Sequence, residues 1–290
     1  MLLLLTPALV WGASFLFIAE GLRAVGPGGV TFVRILVGFA TLAAFPAARA
    51  PVARSDRGGV ALLGVLWLAF PLSMFPFAEQ RVSSAVTGML NGANPLFTAA
   101  VACALARRLP SRALAAGLVV GLAGTALIAW PALHEGGTSV EGVLLTLAGV
   151  ASYGFALNVA RPLQQRNGAL PVIWRAQAVA LLLTAPLGLP DLATARWTVG
   201  PLLALLALGA LGTALAHVLL AVAAGRYGAA RASAAIFLVP VVALLLGVLV
   251  RGERVALLSI VGCAVCVAGA WLAQRARPRN TGAGEDVKDS

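Results

Sequence analysis

Two arginines lie deep within apolar stretches, and their chemistry needs an explanation first. Arg34 and Arg175 are the only ionised side chains well inside these stretches. An arginine at the centre of a membrane helix costs about 2.5–3.5 kcal/mol on insertion scales. We therefore predict that both guanidinium groups bind anionic substrate groups or form ion pairs that differ between states. The alternative is that each reaches the lipid interface or fixes helix packing through backbone carbonyls.

A second group of residues interrupts otherwise apolar segments. Asn91 and Asn94 precede Pro95 in one segment, and Pro240 stands at the equivalent place in a later one. Proline removes a helical hydrogen bond and frees carbonyl groups, which membrane helices tolerate where those groups face a cavity. We predict that both asparagines line a binding region and that both prolines mark helix breaks or gates. The alternative is that both prolines only kink their membrane helices and have no role in binding.

The remaining candidate site residues are aromatic or polar. His217 is the only histidine within an apolar stretch, and histidine changes charge near neutral pH. It is predicted to be a proton relay or a substrate contact, with a bond to a neighbouring helix as the alternative. Trp11, Tyr153 and Asn158 are predicted to face the same cavity as stacking or hydrogen-bonding groups, with ordinary packing as the alternative.

Two carboxylates stand at the ends of apolar stretches and are candidates for coupling transport to protons. Glu20 lies close to Arg23, and Glu79 lies close to Arg81. Helix capping or local ion pairing is the alternative interpretation for both glutamates.

Residue combinations that carry covalent or metal chemistry are missing from the sequence. His134-Glu135 has no second histidine to complete a zinc-protease motif and is expected in a loop. Cys263 and Cys266 have CxxC spacing, but no second pair and no nearby histidine or aspartate accompanies them. We predict no catalytic residue, no metal site, no cofactor and no enzyme activity.

Membrane-spanning helices must position these residues. Of 290 residues, 60% are hydrophobic and 11% are charged, whereas a soluble domain carries about 25% charged residues. A spanning helix needs roughly 20 mostly apolar residues, and its backbone must bond to itself. An all-α integral membrane fold is predicted, with ten spans at residues 2–19, 26–46, 58–78, 82–105, 113–132, 142–160, 169–189, 201–223, 232–250 and 255–273.

The basic residues indicate which side of the membrane each connection faces. With ten spans, fourteen of the 21 Lys and Arg residues fall on the side of the two termini and five fall on the other side. Because cytoplasmic connections carry the excess of positive charge, both termini are predicted to be cytoplasmic in a bacterial cell (inner) membrane. The net charge of +11 is assigned to orientation and anionic lipid, and no nucleic-acid partner is expected.

The second half of the chain repeats the first at a shift of 141 to 145 residues. Each half holds five predicted spans, an odd number, so the two halves enter the membrane with opposite orientations. Inverted repeats of this kind surround a central cavity in many secondary transporters. The aligned landmarks are Trp11-Gly12 with Tyr153-Gly154, Arg34 with Arg175, Pro95 with Pro240, Gly117 with Gly262, and Gly124 with Gly269.

The motifs resemble those of a known family over residues 1 to about 274. They are Trp11-Gly12-Ala13-Ser14-Phe15, Phe32-Val33-Arg34, Asn94-Pro95 and Gly252-Glu253-Arg254. In this order they are similar to the EamA family of the drug/metabolite transporter superfamily. The resemblance implies two five-helix repeats, at residues 1–135 and 136–274, and transport of small metabolites or drugs. Arg107-Arg108-Leu109 departs from the family's Gly-Glu-Arg pattern, so no role is assigned to that loop.

Repeat and resemblance together predict a secondary active transporter of small organic solutes that works by alternating access. Export of amino acids, metabolites or drugs is the expected direction. A membrane receptor or scaffold, or a passive channel, is the alternative. The expected partners are a small-molecule substrate and the lipid bilayer, the protein being a monomer or a homodimer, and residues 275–290 are expected to form a disordered cytoplasmic tail.

Overall fold

The computed structural model describes residues 2–135, 138–227 and 235–275, and all regular elements within these ranges are helical. The predicted disordered tail falls almost entirely on residues 276–290, which lie outside the described residues. One expectation is corrected: His134-Glu135 forms the last turn of a helix rather than a loop. The apolar run before it continues the helical hydrogen-bond pattern through these two residues.

Thirteen α-helices are described, numbered here in chain order. Two of them, α3 and α10, continue directly into π-helical segments, named π1 and π2. The bounds are α1 Leu2–Gly21, α2 Pro27–Ala43, α3 Arg57–Leu63, π1 Gly64–Ala69, α4 Phe70–Glu79, α5 Ser84–Asn91, α6 Asn94–Leu105, α7 Arg112–Glu135, α8 Thr138–Asn167, α9 Ala169–Ala193, α10 Val199–Ala207, π2 Leu208–Leu215, α11 Ala216–Tyr227, α12 Val239–Arg251 and α13 Leu257–Arg275.

The described helices are long and apolar enough to build a membrane bundle. Seven helical rods in the described part of the chain have the length and composition needed to cross a membrane, counting α3–π1–α4, α5–α6 and α10–π2–α11 as one rod each. Three shorter apolar helices, Leu5–Gly21, Pro27–Ala43 and Ile236–Arg251, complete the set. The fold is therefore that of a multi-helix apolar bundle, and the count of ten spans stays a prediction.

The two π-helical segments occur in corresponding parts of the two halves. A π-helix widens the hydrogen-bond pattern by one residue, which disturbs the regular pairing of the backbone. Thr213 illustrates this in π2, because its hydroxyl donates to the Leu208 carbonyl five residues earlier at 3.1 Å. Both segments follow glycine-containing stretches, and both contribute to the cavity described below.

The most extensive helix pairs are α7 with α13 and α2 with α9. Glycines allow the backbones of α7 and α13 to touch. A methyl group at Gly262 would meet the Ile128 backbone nitrogen at 2.6 Å and the Gly124 carbonyl oxygen at 2.8 Å. Small residues spaced along both helices therefore supply the close contact that packing in lipid requires.

Side chains from distant helices complete two helix N-termini. The Asp191 carboxylate, near the end of α9, accepts from the Gly29 backbone N–H at 2.9 Å in the first turn of α2. Glu253 accepts from the Ala85 N–H at 2.9 Å and the Ser84 hydroxyl at 2.7 Å at the start of α5. Negative groups at helix N-termini accept hydrogen bonds from the unpaired backbone N–H groups and interact favourably with the positive end of the helix dipole. Both contacts tie one half of the chain to the other.

Candidate functional site

A cavity of about 410 Å³ lies between the helices of the two halves. Its lining comes mainly from α1, π1, α4, α8 and α11, with single residues or pairs from other helices. Six of the eight predicted substrate-binding residues contribute to it. They are Trp11, Arg34, Asn91, Asn94, Tyr153 and His217.

Arg34 enters the cavity wall from the middle of α2. Its side chain is 5% exposed, and its Nε donates to the Thr213 hydroxyl in π2 at 3.0 Å. Among the described residues, Arg34 forms no ion pair with a carboxylate. An arginine has five N–H donors, and the hydroxyl contact uses one of them. The guanidinium group is thus held in place but not neutralised by a direct ion pair with a described residue.

The π2 segment provides the backbone acceptors that fix the opposite wall. Trp11 Nε1 donates to the Gly212 carbonyl at 2.9 Å, and Gln177 Nε2 donates to the Thr213 carbonyl at 2.8 Å. Irregular backbone at membrane depth is tolerated where other groups satisfy it. The pattern of apolar residues alone did not single out Thr213 or Gln177. Their polar character inside predicted spans was the available signal.

Aromatic rings form the apolar part of the cavity. The His217 ring lies edge-on to Trp11, with 5.3 Å between ring centroids, and to Trp67, with 5.6 Å. Phe75 and Tyr153 pack at 5.8 Å on another part of the wall. Flat rings of this kind offer contact area to an apolar or aromatic ligand.

The helix carrying Asn91 and Asn94 is broken between them. Helix α5 ends at Asn91 and α6 begins at Asn94, with Gly92 and Ala93 as a turn. Asn94 accepts from the Thr98 hydroxyl through its carbonyl at 2.8 Å. The Asn91 Oδ1 atom is buried and receives no hydrogen bond from the described residues. This break therefore leaves an unused acceptor on a residue of the cavity wall.

The two prolines lie at comparable places in the structure. Pro95 is the second residue of α6, and Pro240 is the second residue of α12, which follows a short 3-10 turn at Ala235–Leu238. A methyl group at Gly92 would lie 3.1 Å from Pro240 Cγ, so the two breaks are neighbours.

Arg175 and Asn158 lie outside the cavity lining. Arg175 donates to the backbone carbonyls of Pro171 at 3.3 Å and Ala48 at 3.4 Å. Asn158 Nδ2 donates to the Gly154 carbonyl at 2.8 Å and the Thr98 carbonyl at 3.0 Å. Both side chains thus make the carbonyl contacts expected of residues that fix helix packing.

The two candidate coupling carboxylates differ from one another. Glu20 pairs with Arg23 at 2.9 Å and with Arg251 at 3.9 Å. Both carboxylate oxygens of Glu79 are buried and receive no hydrogen bond from the described residues. Its sequence neighbour Arg81 pairs with Glu141 instead, at 2.9 Å. Local ion pairing therefore describes Glu20 but not Glu79.

Groups that could hold a metal ion are not found in the part of the chain that the structure describes. No cluster of three or more His, Cys, Asp or Glu side chains occurs there. The cavity wall instead combines one guanidinium group, amides, hydroxyls and aromatic rings, which is suited to non-covalent recognition of a small molecule.

The fold is shared with proteins of known structure. A protein of known crystal structure superposes with a TM-score of 0.63, covering 94% of this chain and 96% of that one, at 22% sequence identity. The similarity extends across the whole helical bundle.

Two relatives are named as transporters. A protein of Streptantibioticus cattleyicolor, described as a probable terminal-alkyne amino-acid exporter, is 30% identical over 280 residues, covering 94% of this chain and 92% of its own. The uncharacterized transporter YdfC of Bacillus subtilis is 27% identical over 267 residues, covering 90% and 86%.

The family assignment follows from the sequence of both halves. The model of the EamA-like transporter family matches residues 1–130 and again residues 140–274, leaving only the centre and the last residues unmatched. Together with the apolar helices and the transporter relatives, this match makes the chain a multi-pass membrane protein. It belongs to the EamA-like transporter family.

Proposed function

We propose that this chain is a secondary active transporter that exports small organic solutes by alternating access. The observation that carries the proposal is the cavity between the two halves, with its unneutralised guanidinium group and aromatic wall. A cavity of this size is typical of a small-molecule site. The membership of the family and the names of the relatives support the same function.

Matched features in the two halves support ten spans arranged as inverted repeats. Segments π1 and π2 correspond at the shift of about 145 residues that aligns the sequence halves. A methyl group at Gly12 would press on the Val239 carbonyl of α12, and one at Gly154 would press on the Phe97 carbonyl of α6. Equivalent helices thus make equivalent contacts across the bundle. Two such halves, at residues 1–135 and 136–274, can exchange shapes and so expose the cavity on alternate sides.

The extent of the cavity supports an inward-facing state. Its lining reaches Gln164 and Ala169, at the face where Asn167 contacts the α2–α3 connection. At the other end the lining stops at Ile18 and Phe75, which are buried. If both termini are cytoplasmic, as the arginine distribution predicts, the open end faces the cytoplasm of a bacterial cell.

Ion pairs support closure of the opposite, outer face. Glu20 at the end of α1 pairs with Arg251, and Arg251 pairs with Glu253 at 3.1 Å. Glu253 in turn caps α5. These contacts join three helices beyond the closed end of the cavity. A passive channel would instead need a continuous pore through this region.

The test is transport by the purified full-length protein in lipid vesicles. Labelled amino acids, nucleosides and cationic drugs are screened with and without a pH gradient. We expect at least one solute to show trans-stimulation, meaning faster labelled uptake into vesicles preloaded with the same unlabelled solute. Trans-stimulation requires a carrier that reorients with its load. Flux without it would indicate a channel, and no flux from a folded sample would contradict the proposal.

A further inference from the structure

The charge of the cavity wall is set by a single side chain. Among the described lining residues, Arg34 is the only one with a formal charge at neutral pH, and no aspartate or glutamate accompanies it. Two lining helices carry a glutamate near the closed end, Glu20 on α1 and Glu79 on α4, but neither side chain contributes to this wall. Glu79 interacts with Arg34 electrostatically without a direct ion pair. A single cation in an apolar cavity attracts a negatively charged ligand and repels a positively charged one. Both interactions are stronger than in water, because the dielectric constant of such a cavity is low.

The free donors of Arg34 are available to a ligand. Nε is bound to Thr213, and neither Nη atom donates to a described protein group. Neither Nη atom is among the fully buried unsatisfied atoms, so both retain access to the cavity. A methyl group at Gly212 would lie 4.0 Å from Arg34 Nη2, so the absence of a side chain at Gly212 keeps this space open. Two parallel N–H groups fit a carboxylate in a bidentate arrangement.

The rest of the wall accepts an apolar group. Trp11, Trp67 and Phe75 present ring surfaces, and Leu72 and Leu157 add aliphatic surface. No second cation is available among the described lining residues for a second acidic group of the ligand. The favourable ligand therefore carries one carboxylate and one apolar or flat tail.

We propose that the cavity selects small organic monocarboxylates with an apolar tail, held by the Arg34 guanidinium group, and rejects amines that carry only positive charge. The role of this selectivity in transport rests on the proposed function, but the binding preference itself can be measured without any transport. Among the solutes of the vesicle screen, it favours those with a carboxylate and disfavours cationic drugs.

The test is equilibrium binding of four ligands that share one tail. They are 3-phenylpropionate, phenylalanine, 3-phenylpropionamide and 3-phenylpropylamine. Binding is followed by tryptophan fluorescence of the detergent-solubilised full-length protein, since Trp11 and Trp67 line the cavity. We expect both carboxylates to bind about tenfold or more tightly than the amide and the amine, as the loss of a hydrogen-bonded charge pair implies.

Three variants show whether Arg34 is responsible. Arg34→Gln is expected to bring the four dissociation constants within about threefold of each other, a difference of roughly 0.7 kcal/mol. Arg34→Lys keeps a positive charge and should keep the preference in weaker form. The matched control Arg175→Gln removes the arginine that lies outside the cavity and should leave the order of the four dissociation constants as in the wild type. Melting temperature and gel filtration verify that each variant is folded.

The outcomes separate this inference from the proposed function. An amine that binds as tightly as the acid, or an unchanged order in Arg34→Gln, overturns the inference. If Arg34→Gln does not fold, the inference is tested by the order of the four dissociation constants in the wild type and by the weaker carboxylate preference expected in Arg34→Lys. A carboxylate preference in binding without any vesicle flux would contradict transport while leaving the charge selection intact.

Discussion

At the scale of single residues, Glu79 at the end of α4 and Glu253 just beyond α12 have opposite surroundings. Glu253 receives hydrogen bonds from Ser84 and Ala85 and pairs with Arg251, whereas both oxygens of Glu79 are buried without a donor among the described residues. A buried charged group without a partner is costly, but a paired one is not. The same substitution should therefore have different effects at these two positions.

We predict that Glu253→Gln lowers the free energy of unfolding by roughly 1–3 kcal/mol, since hydrogen bonds to a charged group are lost. Glu79→Gln should leave stability unchanged or raise it, because the amide has nearly the same shape and neither Glu79 oxygen has a hydrogen bond to lose. The melting temperatures of both variants, measured in one detergent, test this pair. A larger loss in Glu79→Gln than in Glu253→Gln would contradict the structural assignment.

Glu79 also stays the better candidate for coupling transport to protons. Its electrostatic neighbours are Glu253, Arg251 and Arg34, and Glu79 lines a second, smaller pocket together with Arg81 and Arg254. Once a flux assay exists, we expect Glu79→Gln to abolish the acceleration of flux by a pH gradient while exchange of solute persists. A Glu141→Gln variant serves as the control, because Glu141 is an exposed carboxylate that pairs with Arg81 and does not belong to the contacts that close the outer face. Equal gradient dependence in wild type and Glu79→Gln would exclude this role.

At the scale of helices, close packing of α7 on α13 depends on glycines that the repeat had singled out in the sequence. A methyl group at Gly262 would meet backbone atoms of α7, whereas one at Gly58 in α3 would meet no atom within 4 Å. The apolar pattern was enough to predict these helices, since their length and hydropathy follow from the bilayer. It was not enough to predict π1 and π2, because a one-residue widening leaves no mark in composition.

We predict that Gly262→Ala lowers the free energy of unfolding by about 1–3 kcal/mol, because the added methyl forces the two backbones apart. Gly58→Ala, in the first turn of α3, is the control and should be neutral or stabilising by up to about 1 kcal/mol, because an added methyl meets no atom there and alanine has the higher helix propensity. Thermal unfolding of the two variants provides the comparison. Equal melting temperatures would show that α7 and α13 are not as close as described.

At the scale of the whole molecule, the family, the apolar bundle and six of the eight candidate binding residues could be located from the sequence. The repeat directed attention to Arg34 and Arg175 equally, but only Arg34 reaches the cavity. This difference was not predictable, because the side of a helix that meets the cavity depends on how the halves tilt. Long-range contacts such as that of Glu253 with α5 were missed for the same reason.

The predicted orientation can be tested with reporter fusions. A fluorescent protein attached to the C-terminus should fluoresce, because it stays in the cytoplasm with the basic connections. Alkaline phosphatase inserted in the α1–α2 connection, after Arg23, should be active outside the membrane. A dark C-terminal fluorescent protein together with an inactive phosphatase would mean that the proposed topology is inverted. If only one of the two reporters gave the expected signal, the number of spans between the two sites would differ from the prediction.

The most direct test of alternating access uses Leu220 and Phe75, which the repeat relates at a shift of 145 residues. Leu220 lines the cavity in α11, and Phe75 is 3% exposed at its closed end. Single cysteines are introduced at each position after Cys103, Cys263 and Cys266 are replaced, and a membrane-impermeant maleimide is added from either side. We predict that Leu220→Cys reacts from the cytoplasmic side and that Phe75→Cys becomes reactive from the outside when the closed end opens, with transported solute shifting these two rates in opposite directions. A Phe75→Cys protein that transports solute but never reacts from the outside would contradict alternating access.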